Sequence, residues 1–238
     1  MLGLGLGLQK GGLASWSPLN IPGLKIWLEP DFGISMDADD YEVNSWADRQ
    51  GYAAFTQTLT RRPLWVASVP AANGRPGVQF DGVNDYMLSN DFVDIPQPLT
   101  IIFLATEPTD NDSFRDLFDG LEASKLFLQQ RGLTNVYGFF SPTQKSAGAI
   151  VAGNPLARWR FEVNGAATDL YKNGAATSED LSPGTNGVEG FVLGVDYRRD
   201  RYFANTTYFL MLIYDHIITA DELAQLNIWL VAKFGVGV

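Results

Sequence analysis

Tyr208-Phe209-Leu210-Met211-Leu212-Ile213-Tyr214 holds no charged residue, no glycine and no proline. Successive side chains of a strand point to opposite faces, so a short run that is apolar at odd and even positions alike reads as a strand covered on both sides. Ile101-Ile102-Phe103-Leu104, within Leu99 to Ala105, has the same character. These two segments are expected at the middle of a sheet.

Working outward, shorter β-like runs lie at Leu24–Leu28, Pro76–Phe80, Leu126–Gln129, Val136–Phe140, Trp159–Val163 and Phe191–Val195, separated by turn residues at the spacing of a sandwich. Asn164-Gly165-Ala166-Ala167-Thr168 recurs as Asn173-Gly174-Ala175-Ala176-Thr177 around the short run Asp169-Leu170-Tyr171-Lys172. Asn-Gly tolerates positive φ at both positions and marks hairpins, so a meander is expected there. The period changes at the end of the chain. Thr219-Ala220-Asp221-Glu222 fits a capping box. Leu223, Leu226, Leu230, Val231 and Phe234 follow at helical spacing, with Lys233 in the last turn and Gly235 as the stop. The expected fold is therefore all-β: an antiparallel two-sheet jelly-roll sandwich over residues 23–238 with a C-terminal α-helix.

Residues 1–22 differ from the rest. Leu2, Leu4, Leu6 and Leu8 alternate with glycine, which puts every leucine on one side of an extended arm and lets another backbone approach the other side. Such an arm either docks on a neighbouring subunit or adds a strand to the protein's own sheet. It has no basic start and no clean cleavage site, so a secretion signal is not expected.

The 238 residues fit one large sandwich domain. Hydrophobic residues make up 46% and aromatics 13%, while charged residues reach only 18%, below the usual quarter of a soluble chain. A formal charge of −10 repels phosphate backbones and anionic lipid headgroups, which argues against nucleic acid as a partner. No stretch approaches the roughly 20 apolar residues that span a bilayer. The absence of cysteine excludes disulfides and thiolate metal sites.

The order Leu24-Lys25-Ile26-Trp27-Leu28, Trp46-Ala47-Asp48-Arg49-Gln50-Gly51, Arg62-Pro63, then Asn73-Gly74-Arg75-Pro76-Gly77-Val78-Gln79-Phe80-Asp81-Gly82 resembles the concanavalin A-like lectin/glucanase superfamily, and more narrowly the laminin G-like domains of phage virion proteins and bacterial surface proteins. The tail from Leu212-Ile213-Tyr214-Asp215 to Lys233-Phe234-Gly235 is similar to the closing strand and helix of that family. These are turn and packing signatures, informative about fold and nearly silent about ligand. The family's usual glutamate before the last tyrosine is replaced by Leu210-Met211.

Chemistry-bearing residues are sparse. Retaining glycanases need two carboxyl groups about 5–5.5 Å apart, and no E-x-D-x-x-E triplet occurs. Glu29 and Asp31 are interrupted by Pro30, so no catalytic residue is assigned and an enzyme is not expected. His216 is the only histidine, and a capping or turn role suits its position before the helix. Asp37, Asp39 and Asp40, and the Asp110-Asn111-Asp112 run, could offer oxygen ligands to Ca²⁺ or stay solvated; no cofactor is expected. Tyr197, Arg198, Arg199, Arg201 and Tyr202 form a basic, aromatic loop suited to sugars or to a protein partner, or to local pairing with Asp196 and Asp200. Trp65, Tyr137 and Phe140 are sugar-stacking platforms or core. Two functions remain open: a phage virion structural protein, in the capsid decoration or at the tail, whose arm docks on neighbouring subunits as a homo-oligomer, and a free carbohydrate-binding lectin domain.

Overall fold

The computed structural model describes residues 16–57, 59–107, 113–122, 127–131, 136–140, 144–149, 155–177 and 184–238. Leu2, Leu4, Leu6 and Leu8 lie outside them, as does Asp110-Asn111-Asp112. In chain order the strands begin with β1 (Leu24–Leu28), β2 (Ile34–Met36), β3 (Val43–Ala47), β4 (Ala54–Thr56), β5 (Leu64–Val69), β6 (Arg75–Asp81), β7 (Met87–Ser89), β8 (Leu99–Thr106) and β9 (Phe114–Gly120). They continue through β10 (Phe127–Arg131), β11 (Val136–Phe140), β12 (Gln144–Ala149), β13 (Leu156–Val163), β14 (Asp169–Lys172), β15 (Ala175–Ala176), β16 (Phe191–Leu193) and β17 (Asn205–Tyr214), before the helix α1 (Ala220–Phe234). Among the described residues no helix is long and apolar enough to cross a membrane.

Two antiparallel sheets face each other. One runs β15-β14-β13-β8-β17-β6-β5, with β1 beside the C-terminal half of β17; the other runs β12-β11-β10-β9-β16-β7-β4-β3-β2. The two apolar runs are neighbours at the centre of the first sheet, paired from Tyr208↔Ala105 to Tyr214↔Thr100. Phe103, Met211 and Ile213 point into the space between the sheets, where Phe103 meets Phe118 edge-on at 5.3 Å and Tyr208 at 5.1 Å. Ile102, Leu104, Leu210 and Leu212 point the other way, into a second core closed by Leu226, Leu230 and Phe234 of α1. Both faces are thus removed from water, at about 1.5–3 kcal/mol per fully buried large side chain. This is why every residue of β8 is buried and no polar alternation is needed. The Leu210-Met211 pair, one residue on each core, leaves no place there for a carboxylate.

Thr219 caps α1, accepting from the Glu222 amide at 3.3 Å, while Glu222 accepts from the Thr219 amide at 2.7 Å. Gly235, at φ 75°, ends the helix. Val231 belongs to the apolar spacing but is 53% exposed, because the helix touches the sheet along the narrower stripe of Leu226, Leu230 and Phe234. The Asn-Gly pairs also diverge. Asn173 and Gly174 take φ 54° and 81° in the two-residue turn between β14 and β15, whereas Asn164-Gly165 opens a 3₁₀ turn, with the Asn164 amide donating to the Thr168 hydroxyl. The last residues before β1 pack under the helix: Ile21 is buried there and Tyr214 donates its hydroxyl to the Pro18 carbonyl at 3.3 Å.

Candidate functional site

Crossovers between the sheets gather at one end of the sandwich. Leu64 pairs with Gln79 and Asn205 with Asp81, so the start of β5, the end of β6 and the start of β17 are level. The connections 57–63, 82–86 and 194–204 leave from that level to the second sheet. A bridge between Glu42 and Leu64 brings the β2–β3 hairpin tip to the same rim.

The rim has a cleft of about 370 Å³ lined by Asp40, Tyr41, Leu64, Trp65, Val66 and Ala67. Its walls include two aromatic rings, Tyr41 and Trp65, stacked at 6.4 Å and 30°. Tyr41 is 52% exposed and sits at φ 61°, a left-handed backbone that costs a non-glycine residue about 1–2 kcal/mol. Hydrogen bonds hold it there. Its amide donates to the Asp37 carbonyl at 3.1 Å and its carbonyl accepts from the Trp65 amide at 2.9 Å. The Trp65 indole N–H donates to the Pro30 carbonyl at 3.0 Å, fixing the ring.

Beside the cleft, ligand oxygens of Asp37, Asp40 and Glu42 lie within 4.8 Å of one another. These are the groups among the described residues that could hold a hard cation; Asp39, expected with Asp37 and Asp40, is not one of them, and Glu42 takes its place. A guanidinium already sits among them: Arg62 pairs with Asp37 at 2.5 Å and with Glu42. Hydrogen bonding from Asn44, then from Arg62, holds the Asp37 carboxyl below its ordinary range. Behind them Asp85 is buried in the turn of Phe80-Asp81-Gly82. Asp81 accepts from the Val83 amide at 2.7 Å and the Asn84 amide at 3.1 Å, and Asp85 accepts from the Asp81 amide at 3.0 Å. Burial, and then the charge of Asp81, push the Asp85 carboxyl up to about 7.

The loop Tyr197–Tyr202 borders the other side of that turn. Buried Asp196 organises it, accepting from the Arg199 amide and from Arg201 Nε at 3.0 Å each. Asp119 accepts from the Tyr197 amide at 2.8 Å. Arg199 and Tyr202 take φ 65° and 61°. Arg201 covers the Tyr202 ring at 4.7 Å, and Arg198 lies 5.1 Å from the Tyr197 ring and donates to its hydroxyl at 2.9 Å. Local pairing with Asp196 therefore accounts for Arg201. It does not engage the side chains of Arg198 and Arg199.

Under the loop, Asp116 and Asp119 are buried. Burial first, with the charge of Asp119 next, raises Asp116 well above the carboxylate range. Burial also raises Asp119, to about 7, although the Tyr197 and Gly120 amides oppose it.

The remaining candidates fall elsewhere. Tyr137 is core, packed edge-on against Trp159 at 5.1 Å; the side chain of Phe140 lies outside the described residues. His216 Nε2 is 3.5 Å from Glu222 at the helix cap. Glu29 and Asp31 belong to an ion network with Lys233 and Arg49. Sequence reasoning missed Tyr41, Glu42 and Leu64. The Arg62-Pro63 turn, Trp65 and the Asp37–Asp40 acids pointed at that stretch, but nothing local says that the hairpin tip reaches the start of β5.

Fold and rim together define an antiparallel two-sheet β-sandwich with an aromatic cleft among its crossover loops. No protein-family model and no curated protein matches the chain. Solved structures with the same fold include the binding domain of Paraclostridial Mosquitocidal Protein 1, at 11% identity and TM-score 0.61 over 87% of this chain and 52% of that one. Trypanosoma rangeli sialidase matches at 13% identity and TM-score 0.60 over 89% and 33%, and the HCR/D F1240A mutant at 12% and 0.59 over 90% and 55%. The chain thus spans a third to about half of the proteins it is similar to. At these identities the likeness is one of fold.

Proposed function

We propose that this chain is a carbohydrate-binding module that holds a glycan in the cleft lined by Tyr41 and Trp65. The observation that carries the reading is a pair of stacked, partly exposed rings fixed by backbone hydrogen bonds in a concave site. The C–H faces of a sugar pack on aromatic faces while neighbouring polar groups set orientation. Asp40 is at hand for hydroxyls. The sialidase of the same fold has been solved in complex with sialic acid, which agrees with this reading. This reading assigns no catalytic acid: Asp37 and Glu42 are both held by Arg62, and Glu29 and Asp31 by Lys233. Trp65→Ala is expected to weaken glycan affinity at least tenfold, on the order of one lost aromatic contact, with unchanged circular dichroism. Equal affinity of the variant for every glycan the parent binds on an array rejects the cleft.

A second, finer reading places the module on a virus particle, docked through the Leu/Gly arm. The period-two pattern of Leu2, Leu4, Leu6 and Leu8 favours it, as does the resemblance to laminin G-like domains of phage virion proteins. Removal of residues 1–15 should convert a homo-oligomer to monomer in light scattering without touching glycan binding; an unchanged mass rules the docking out.

A further inference from the structure

Glu29 and Lys233 lie far apart in sequence, one just after β1 and the other in the last turn of α1, and their side chains meet: Lys233 Nζ touches Glu29 Oε1. The Glu29 carboxyl is buried. Both partners are fixed in place. The Lys233 carbonyl accepts from Arg75 Nε at 3.2 Å, which pins the helix end to β6. Glu29 Oε2 accepts from the Trp27 indole N–H at 2.7 Å, and the Glu29 carbonyl accepts from the Trp46 indole N–H at 3.2 Å. Aromatic rings surround the contact. Lys233 Nζ lies 5.1 Å from the Trp229 ring and 5.8 Å from the Phe234 ring, and Trp27 meets Trp229 edge-on at 5.9 Å. A second carboxylate is within reach, since Asp31 Oδ2 is 3.3 Å from Nζ while Arg49 holds Oδ1 at 2.7 Å.

These groups supply more than a salt bridge uses. Burial pushes the Lys233 ammonium down to about 8, which brings the nucleophilic free amine within reach near neutral pH. A charged pair in this setting carries a desolvation cost of several kcal/mol per ion, and a neutral amide does not. The indole N–H on Oε2 sits where negative charge develops when an amine adds to the carboxyl carbon. Asp31 is placed to take a proton from the nitrogen and hand it to the departing oxygen. Fixed contact between amine and carboxyl is worth an effective concentration of about 10⁵–10⁸ M, far above that of the water that opposes condensation.

We propose that Lys233 and Glu29 condense into an intramolecular isopeptide bond that ties α1 to the end of β1. A proton passes from the ammonium to Oε1, leaving a neutral amine and a neutral carboxyl. The Nζ lone pair adds to Cδ, and Trp27 holds the charge on Oε2. Asp31 moves a proton from Nζ to Oε1, the Cδ–Oε1 bond breaks, and one water leaves. An ammonium and a carboxylate are consumed, an amide and a water are formed, and no oxidant, reductant or further reactant enters. The bond closes a loop that contains every strand from β2 to β17, and long closed loops constrain an unfolded chain most. A chain without cysteine has no disulfide for this purpose.

The test is the intact mass of the denatured full chain, which should be lighter than its sequence by one water. Trypsin should then release residues 26–49 joined to residues 202–238, because a linked Lys233 is no longer a cleavage site. Lys233→Arg should show no mass loss and separate peptides, and Glu29→Gln should lose one ammonia in place of one water. Asp31→Asn should slow the loss at least about tenfold, as for removal of a general acid–base group. The parent alone decides the bond, whether or not a variant folds. Full sequence mass in the parent overturns it, as does a water lost from any peptide other than the joined pair. An Asp31→Asn chain that links as fast as the parent overturns the proton transfer assigned to Asp31.

Discussion

Around Trp27 four charged side chains cancel one another, while at the rim Arg61 lies over the Tyr86 ring and makes no ion pair among the described residues. Glu29, only 2% exposed, accepts from the Trp27 indole at 2.7 Å and pairs with Lys233 of α1. Asp31 takes Lys233 at 3.3 Å and Arg49 at 2.7 Å, and the Arg49 guanidinium lies 4.9 Å from the Trp27 ring. This network fastens the helix to β1, and its charges are spent. Burial pushes the Lys233 ammonium down to about 8, against the two carboxylates that favour its charged form. At the rim, Arg61 and Arg199 are exposed and make no ion pair among the described residues. The difference separates charge that builds the fold from charge left over for a ligand.

The contrast can be broken most sharply at Lys233. Removing one partner of a buried pair leaves the other uncompensated, so Lys233→Met should cost about 3 kcal/mol in urea unfolding. A loss under about 1 kcal/mol would mean the helix is held by Leu226, Leu230 and Phe234 alone. A pH series comes next. The folded carboxyls of Asp85 and Asp119 lie near 7, above their unfolded value near 4. A group whose pKa is raised by folding stabilises fully in acid and loses that contribution as pH rises through about 7. The urea midpoint should therefore drop between pH 6 and 8, and Asp119→Asn should flatten the drop. A midpoint that climbs across this range contradicts the assignment. Thr219→Ala should cost about 1 kcal/mol through loss of the cap, a check on how much of the helix anchor is local. Smallest is the change expected for Arg199→Gln, within about 0.5 kcal/mol of the parent; a larger loss would move this arginine from the ligand side of the comparison to the structural side.

Much of the fold was legible because its determinants are local. β1 and β11 match their expected bounds, and β17 and β8 lie together at mid-sheet, since an apolar run of that length is stable only when both faces are covered. The Thr219–Glu222 box and Gly235 announce the helix through hydrogen bonds within a few residues. The turn signatures work the same way: Asp48 accepts from the Gln50 amide at 2.7 Å and the Ala53 amide at 2.6 Å, and Gly82 adopts φ 76°. The site was legible only in pieces. Trp65, the acids at Asp37 and Asp40 and the arginine loop could each be named, but as separate signals with a bland reading beside each.

By itself the sequence determined the more apolar strands, the double burial of β8 and β17, the closing helix and the overall negative charge, because periodicity, turn chemistry and caps act over a handful of residues; short strands such as β2, β4 and β7 appeared only in the structure. Only the tertiary structure decided which charges cancel. It put Glu42 and not Asp39 with Asp37 and Asp40, turned Tyr41 onto Trp65, and set Arg61 over the Tyr86 ring. Those choices depend on where crossover loops from two sheets meet, and pair energies at that meeting are set by distances in space that no local pattern in the chain encodes.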